Sequence, residues 1–253
     1  MRQLSCVPGT TQVLKCEGST TDLPLRKPRD VNQTIASIAS ETDVNLLSTR
    51  RGGKDGLERL KRMVLGTPLP TVCDSTFSER VANVLTSIPF MVLGVNNIRN
   101  ARRASKTYKL YSAALVGAGG AALAFHTPAN SDPIKPALRK LDHLAIGALG
   151  IATARCANPA LPLSWTLASA AMLPFHPQGV AGANLLLTER AFLQKAAGNA
   201  GFRATYQKHL IVGTVAAAAF IGEELWPDVP CLHATWHVAA AVAMNCVDSF
   251  LCK

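Results

Sequence analysis

Apolar and polar positions are distributed unevenly along the 253-residue chain. The first part of the sequence is rich in charged and hydroxyl side chains and contains no apolar run long enough to cross a bilayer. From residue 80 onward, long stretches carry no charge, for example the one between Lys109 and Asp132. A membrane helix needs roughly 20 mostly apolar residues. The pattern therefore predicts a polar tail, residues 1–70, followed by a seven-transmembrane-helix domain, residues 71–253.

The predicted fold class is all-α: an integral membrane bundle of seven helices. The longest charge-free stretch must contain more than one helix, since Pro159 and Pro162 begin one and the turn at 174–179 leads into the next. The segment at 178–196 is the weakest span, because three charged residues lie in its second half. The predicted helices lie at about 80–98, 109–127, 139–156, 160–175, 178–196, 208–226 and 230–250.

The positions of the basic residues help to separate this bundle from its alternative, a soluble all-α protein with Ala-rich buried helices. With the N-terminus outside, the cytoplasmic loops and the C-terminus hold ten Lys and Arg residues and the outer loops hold three. The positive-inside rule therefore favours an outer N-terminus and an inner C-terminus. The formal net charge of +10 is then explained by basic residues in the polar tail and in the cytoplasmic loops. No nucleic-acid partner is expected, because aromatic residues make up only 6% of the chain and do not alternate with basic ones.

Few polar side chains lie inside the apolar segments, and the histidines among them form a candidate metal site. His233 and His237 are four residues apart on one helical face, a spacing that can place two imidazole nitrogens on one metal ion. His126, at the end of the second helix, is the best third ligand. Four predicted helices separate His126 from His233, so the chain returns to the same membrane face. Asp142, which opens the third helix, lies at that face too.

Other polar residues near this site have competing interpretations. Glu223 and Glu224 could contribute a carboxylate, but solvated residues at a helix end are the favoured interpretation. His143 points about 100° away from Asp142 on a helix, which favours a packing role. Cys231 is a minor candidate ligand because it lies close to the HxxxH pair. The seven cysteines as a set include no CxxC pair, which argues against a disulfide framework and against a cysteine zinc site.

Taken in order, these motifs resemble the CREST superfamily of seven-transmembrane metal-dependent hydrolases, which includes alkaline ceramidases, PAQR receptors and hemolysin III-like proteins. The resemblance spans roughly residues 75–250. It lies in Phe-His at the end of the second helix, Leu-Asp opening the third, and His-Ala-Thr-Trp-His opening the seventh, the last being closest to the ceramidase form. Residues 79–90 also resemble the start of the first helix in ceramidases and hemolysin III proteins.

The resemblance implies Zn²⁺ held by His126, His233 and His237, with Asp142 beside the metal-bound water. Asp142 could then act as the catalytic general base and acid, or it could only orient that water. The resemblance also implies a zinc-dependent intramembrane hydrolase of a lipid amide, ceramidase-like, with a ceramide-like membrane lipid as substrate and the bilayer as its surroundings. The alternative is a PAQR- or hemolysin III-like receptor, or another non-catalytic membrane protein, with a structural zinc site. Ala122 favours that alternative, because the superfamily usually has serine there. A transporter or pore is a third class, without a supporting charge pattern.

The expected location is a membrane of the ER or Golgi. A plastid membrane is the alternative if the polar tail is a transit peptide. The Ser, Thr and Arg content of the tail fits such a targeting segment, whereas seven acidic residues count against it.

Overall fold

The computed structural model describes residues 58, 61, 73–100, 104–129 and 131–251, all within one compact unit, Leu47–Lys253. These residues contain seven α-helices and no strand, which confirms the predicted all-α class. The polar tail predicted at 1–70 lies outside the described residues, apart from positions 58 and 61. The helices are α1 (Phe77–Asn100), α2 (Lys106–His126), α3 (Lys135–Ala157), α4 (Leu163–Met172), α5 (Pro177–Gly198), α6 (Ala200–Leu225) and α7 (Leu232–Leu251).

Local capping interactions account for several of the helix starts. Before α1, the Thr76 hydroxyl accepts a hydrogen bond from the Glu79 backbone N–H, and the Glu79 carboxylate accepts one from the Thr76 N–H, each at 3.2 Å. This reciprocal pair is a capping box, which satisfies two backbone donors that a helix start leaves unpaired. Ser105 and Asn199 cap α2 and α6 through their side-chain oxygens. The capping box explains why α1 begins three residues earlier than the apolar pattern indicates.

The fourth helix is much shorter than predicted. The sequence pattern indicates a span at 160–175, but α4 contains only 10 residues. At 1.5 Å per residue it is about 15 Å long, half of a typical hydrocarbon thickness of about 30 Å. Pro162 occupies the N-cap position and Pro174 follows the C-cap residue, so prolines confine the helix at both ends. The prediction of a full-length helix here is therefore wrong, whereas the weak segment at 178–196 does form a continuous helix.

Six of the helices pack into a closed ring. Each of α1, α2, α3, α5, α6 and α7 packs against the next in that order, and α7 packs against α1. The short α4 lies outside the ring, against α3 and α5. The interior is filled by large side chains from several helices that are almost completely buried, namely Tyr111, Leu115, Phe192, Val247 and Phe250.

Glycine permits the closest helix contact in the ring, between α1 and α2. A Cβ atom added to Gly94 would lie 2.7 Å from the carbonyl oxygen of Ser112, and one added to Gly119 would lie 2.7 Å from Cγ of Met91. Any larger residue at these positions would force the two helices apart. This contact holds α1 against α2, the helix that His126 ends.

Large apolar side chains cover much of the outer surface. Phe77, Phe175, Leu186 and Ile211 are each between 67% and 75% exposed, and exposed apolar residues occur on every helix. Within the part of the chain that the structure describes, α1 is the one helix that is long and apolar enough to cross a membrane. Only 22% of its apolar stretch is buried, unlike the core helix of a soluble protein. The surface of α1 is therefore one that a bilayer could cover.

Candidate metal centre

The three histidines selected from the sequence meet at one end of the ring. His126 is the last residue of α2, and His233 and His237 lie in the first two turns of α7. The ring centroids are 4.8 Å apart for His126 and His233, 4.6 Å for His233 and His237, and 5.2 Å for His126 and His237. The fold thus brings together all three residues that were predicted to bind a metal.

Two of these rings are oriented by carboxylates. Nδ1 of His126 lies 2.9 Å from a carboxylate oxygen of Asp74, and Nδ1 of His233 lies 2.8 Å from one of Glu223. A carboxylate accepts a hydrogen bond, so Nδ1 is the donor and Nε2 keeps its lone pair. The two Nε2 atoms lie 3.1 Å apart. A carboxylate behind each imidazole and two nitrogen atoms facing one another is the arrangement that metal-binding histidines use.

The third ring presents an unsatisfied nitrogen. Nδ1 of His237 lies 3.2 Å from the hydroxyl of Thr86 and 3.4 Å from that of Ser87, both on α1. Its Nε2 is buried and has no hydrogen-bond partner among the described residues. A buried polar atom without a partner is costly and needs an explanation, for which a bound ion or water would suffice.

Cys73 forms a close group with two of these histidines, His126 and His233, which the sequence did not indicate. One potential ligand atom each from Cys73, His126 and His233 lie within 4.8 Å of one another, close enough to hold a metal ion. The cysteine spacing argues against a cysteine zinc site, yet the structure places Cys73 beside two of the candidate ligands. Burial raises the pKa of the Cys73 thiol, and the carboxylates of Glu223 and Asp74 raise it further. Cys231, the minor candidate ligand, is exposed and outside this group.

Asp74 connects the site to three helices. Its carboxylate accepts hydrogen bonds from Asn83 of α1 at 2.7 Å, His126 of α2 and Lys135 of α3 at 2.7 Å. Burial alone would raise the pKa of Asp74, but the hydrogen bonds from His126, Lys135 and Asn83 hold it well below the usual range. Asp74 also has a positive φ of 65°. The one signal in the sequence was its position directly ahead of the capping box of α1.

The structure contradicts the interpretation of Glu223 as a solvated residue. The sequence favoured a solvated residue at the end of a helix, but its side chain is only 12% exposed and contacts His233. The corresponding carboxylate for His126 comes from Asp74, far away in the sequence. The site therefore has two acidic residues that each orient one histidine.

Asp142 is buried near the histidines without joining the tight ligand group. It is 3% exposed, and its Oδ1 has no hydrogen-bond partner within the described part of the chain. His233 lies within electrostatic range of its carboxylate. Its neighbour His143 accepts a hydrogen bond from the side-chain amide of Gln178 on α5 at 2.9 Å, as a packing role would require.

A narrow cleft leads to this end of the ring. Its volume is about 20 Å³, room for roughly one water molecule. The cleft gives solvent a route to the cysteine and to His233. The residues that line the cleft include the polar and sulfur-containing side chains Cys73, Asp74, Glu79, Glu223, Cys231 and His233.

Comparisons with known proteins give no relative for this chain: no protein-family model matches the sequence, and no curated protein and no solved structure matches it either.

Proposed function

We propose that the chain is a multi-pass membrane protein that binds Zn²⁺ through His126, His233 and His237 and hydrolyses a lipid amide, as a ceramidase does. The observation that carries this proposal is the set of three imidazoles at one end of the ring. Two have facing Nε2 atoms with carboxylates behind them, and the third has a buried Nε2 without a partner among the described residues. The motif order that resembles the CREST superfamily agrees with this arrangement.

The exposed apolar surface supports a bilayer as the surroundings. Six helices are 20 to 26 residues long, which is enough by length to cross a hydrocarbon core, and α1 is the one described helix that is also apolar enough. Leu185 and Leu186 on α5 and Leu210 and Ile211 on α6 add exposed apolar area to that of α1. A soluble monomer rarely exposes large contiguous apolar patches. The short α4 would have to be accommodated within such a bundle, outside the ring. The ER or Golgi location and the membrane orientation stay predictions.

Nitrogen ligands, with or without one sulfur, suit zinc better than magnesium or calcium, which prefer oxygen. A zinc ion held by these histidines would supply Lewis-acid chemistry, polarising a carbonyl group and making water more acidic. Asp74 and Glu223 hold the imidazoles with Nε2 turned towards the site. Asp142 has an unpartnered carboxylate oxygen that can take a proton from water and deliver it to the leaving amine.

The test combines metal analysis with a hydrolysis assay on the purified full chain in detergent micelles. We expect about one zinc per chain and release of fatty acid from labelled ceramide that a chelator abolishes. Asp142→Asn should lower the rate by about 10²–10⁴-fold while zinc content stays unchanged. His143→Asn, at the next position in α3, serves as the control and should retain most of the rate. Absence of zinc, or a full rate in Asp142→Asn, would overturn the proposal.

A receptor-like protein with a structural zinc site is the second candidate, because of Ala122. This residue is buried in α2 one turn before His126 and offers no hydroxyl where the superfamily usually has one. Stoichiometric zinc together with no chelator-sensitive hydrolysis of any lipid amide would favour this candidate over the hydrolase.

A further inference from the structure

Cys73 lies beside two of the three histidines of the site. Its Sγ belongs to the group with the ring nitrogens of His126 and His233, whose potential ligand atoms lie within 4.8 Å of one another. The cleft that gives solvent access to the site is lined by the same cysteine. The thiol is thus placed both beside the nitrogens and on the path that a water molecule would take.

The residues that follow Cys73 are anchored by hydrogen bonds. The next residue, Asp74, is anchored to α1, α2 and α3 by hydrogen bonds to Asn83, His126 and Lys135. Three residues beyond Cys73, the capping box begins with Thr76 and fixes the start of α1. The position of the thiol therefore depends on the contacts of the next residue, Asp74, with three helices.

We propose that the Cys73 thiolate is a fourth metal ligand beside His126, His233 and His237, and that its sulfur occupies the position that water would otherwise take. Four protein ligands are typical of closed zinc sites, whereas catalytic sites keep one position open for water. Ligation breaks the S–H bond and releases its proton to solvent through the cleft, and no electron is transferred. This inference rests on the proposed metal site, and it predicts that the chain folds in a latent form.

Cobalt provides a direct readout of sulfur ligation. The full chain in detergent micelles is stripped with a chelator and reloaded with Co²⁺, whose thiolate complexes have a sulfur-to-metal charge-transfer band in the near ultraviolet. We expect this band in the natural protein and in Cys231→Ser, the matched control at the other cysteine of the cleft. We expect Cys73→Ser to lose the band, bind metal about 10-fold or more weakly, and hydrolyse the lipid amide several-fold faster.

The outcomes separate this inference from the proposed function. If the natural protein binds no Co²⁺, the metal site itself is wrong. If it binds Co²⁺ without the sulfur band, or if Cys73→Ser keeps the band, the thiolate ligand is wrong while the histidine site stands. X-ray absorption on the zinc-loaded natural protein needs no variant and should show one sulfur neighbour at about 2.3 Å. A zinc shell of nitrogen and oxygen alone would overturn the inference even if Cys73→Ser failed to fold.

Discussion

Two histidine–carboxylate pairs in this protein look alike but differ in whether the second ring nitrogen of the histidine is available to bind a metal. Where α6 meets α5 and α7, Nε2 of His209 lies 2.5 Å from the carboxylate of Glu189 on α5. Its Nδ1 lies 3.2 Å from the carbonyl oxygen of Ala243 on α7. At the candidate metal centre, Nδ1 of His233 contacts the carboxylate of Glu223, whereas its Nε2 faces the imidazole of His126. Burial and an acidic partner are common to both pairs. The environment of the second ring nitrogen is what distinguishes a structural histidine from a candidate ligand.

Removing one imidazole from each pair should give the largest contrast. We expect His233→Ala to lower metal affinity by more than the ~10–100-fold that changes behind a ligand cause, and to abolish hydrolysis. His209→Ala should keep full metal content, and it should lower the free energy of unfolding by about 1–3 kcal/mol because Glu189 and the Ala243 carbonyl lose their partner. Equilibrium dialysis with zinc and denaturant titration measure the two effects. Equal loss of metal in both variants would remove the distinction.

The second contrast concerns Asp74, which contacts both the Lys135 ammonium and the candidate ligand His126. Asp74→Asn should destabilise the fold by about 3–5 kcal/mol, because it leaves the Lys135 ammonium buried without its partner. Metal affinity should also fall about 10–100-fold, since the His126 ring loses the carboxylate behind it.

The double variant Asp74→Asn with Lys135→Met separates these effects. It should recover most of the stability and none of the metal affinity, as measured by denaturant titration and dialysis on the same preparation. If affinity returned together with stability, Asp74 would act on the helices alone.

The smallest contrast compares the two carboxylates directly. Glu223→Gln removes the charge behind His233 and should weaken metal binding about 10-fold, at the lower end of the range for such changes. Glu189→Gln makes the same substitution behind His209 and should leave metal affinity unchanged, at a cost of about 1–3 kcal/mol in stability. Competition with a chromophoric chelator has the sensitivity to compare them. A loss of affinity in Glu189→Gln alone would reverse the comparison.

The parts of the site that follow helical periodicity could be predicted from the sequence. His233 and His237 share a face because of their four-residue spacing, and the count of helices between them and His126 predicted that all three would lie at one end. The apolar pattern likewise located the seven helices. In the shortest of them, prolines at both ends had more effect on helix length than apolar composition did.

The remaining site residues depend on tertiary contacts. Asp74 is 52 residues from the histidine that it orients, and the Cys73 thiol lies beside a histidine of the last helix. No local pattern relates such positions, since the packing of α1 against α2 and α7 brings them together. Glu223 is only 10 residues from His233, but the turn between α6 and α7 had to be known before its carboxylate could be assigned.

The contact between α1 and α7 would link closure of the ring thermodynamically to binding of the proposed metal ion. The hydroxyls of Thr86 and Ser87 contact His237 across this interface, and Asn97 binds Asp248 at 2.8 Å near its other end. A cation held by His126 of α2 and by His233 and His237 of α7 would join the two helices that flank α1 in the ring. At 100 times its dissociation constant it would add about 2.7 kcal/mol to the stability of the folded ring. Thermal unfolding with and without zinc would show this as a higher midpoint for the loaded protein, so the folded ring would be more stable where metal is abundant.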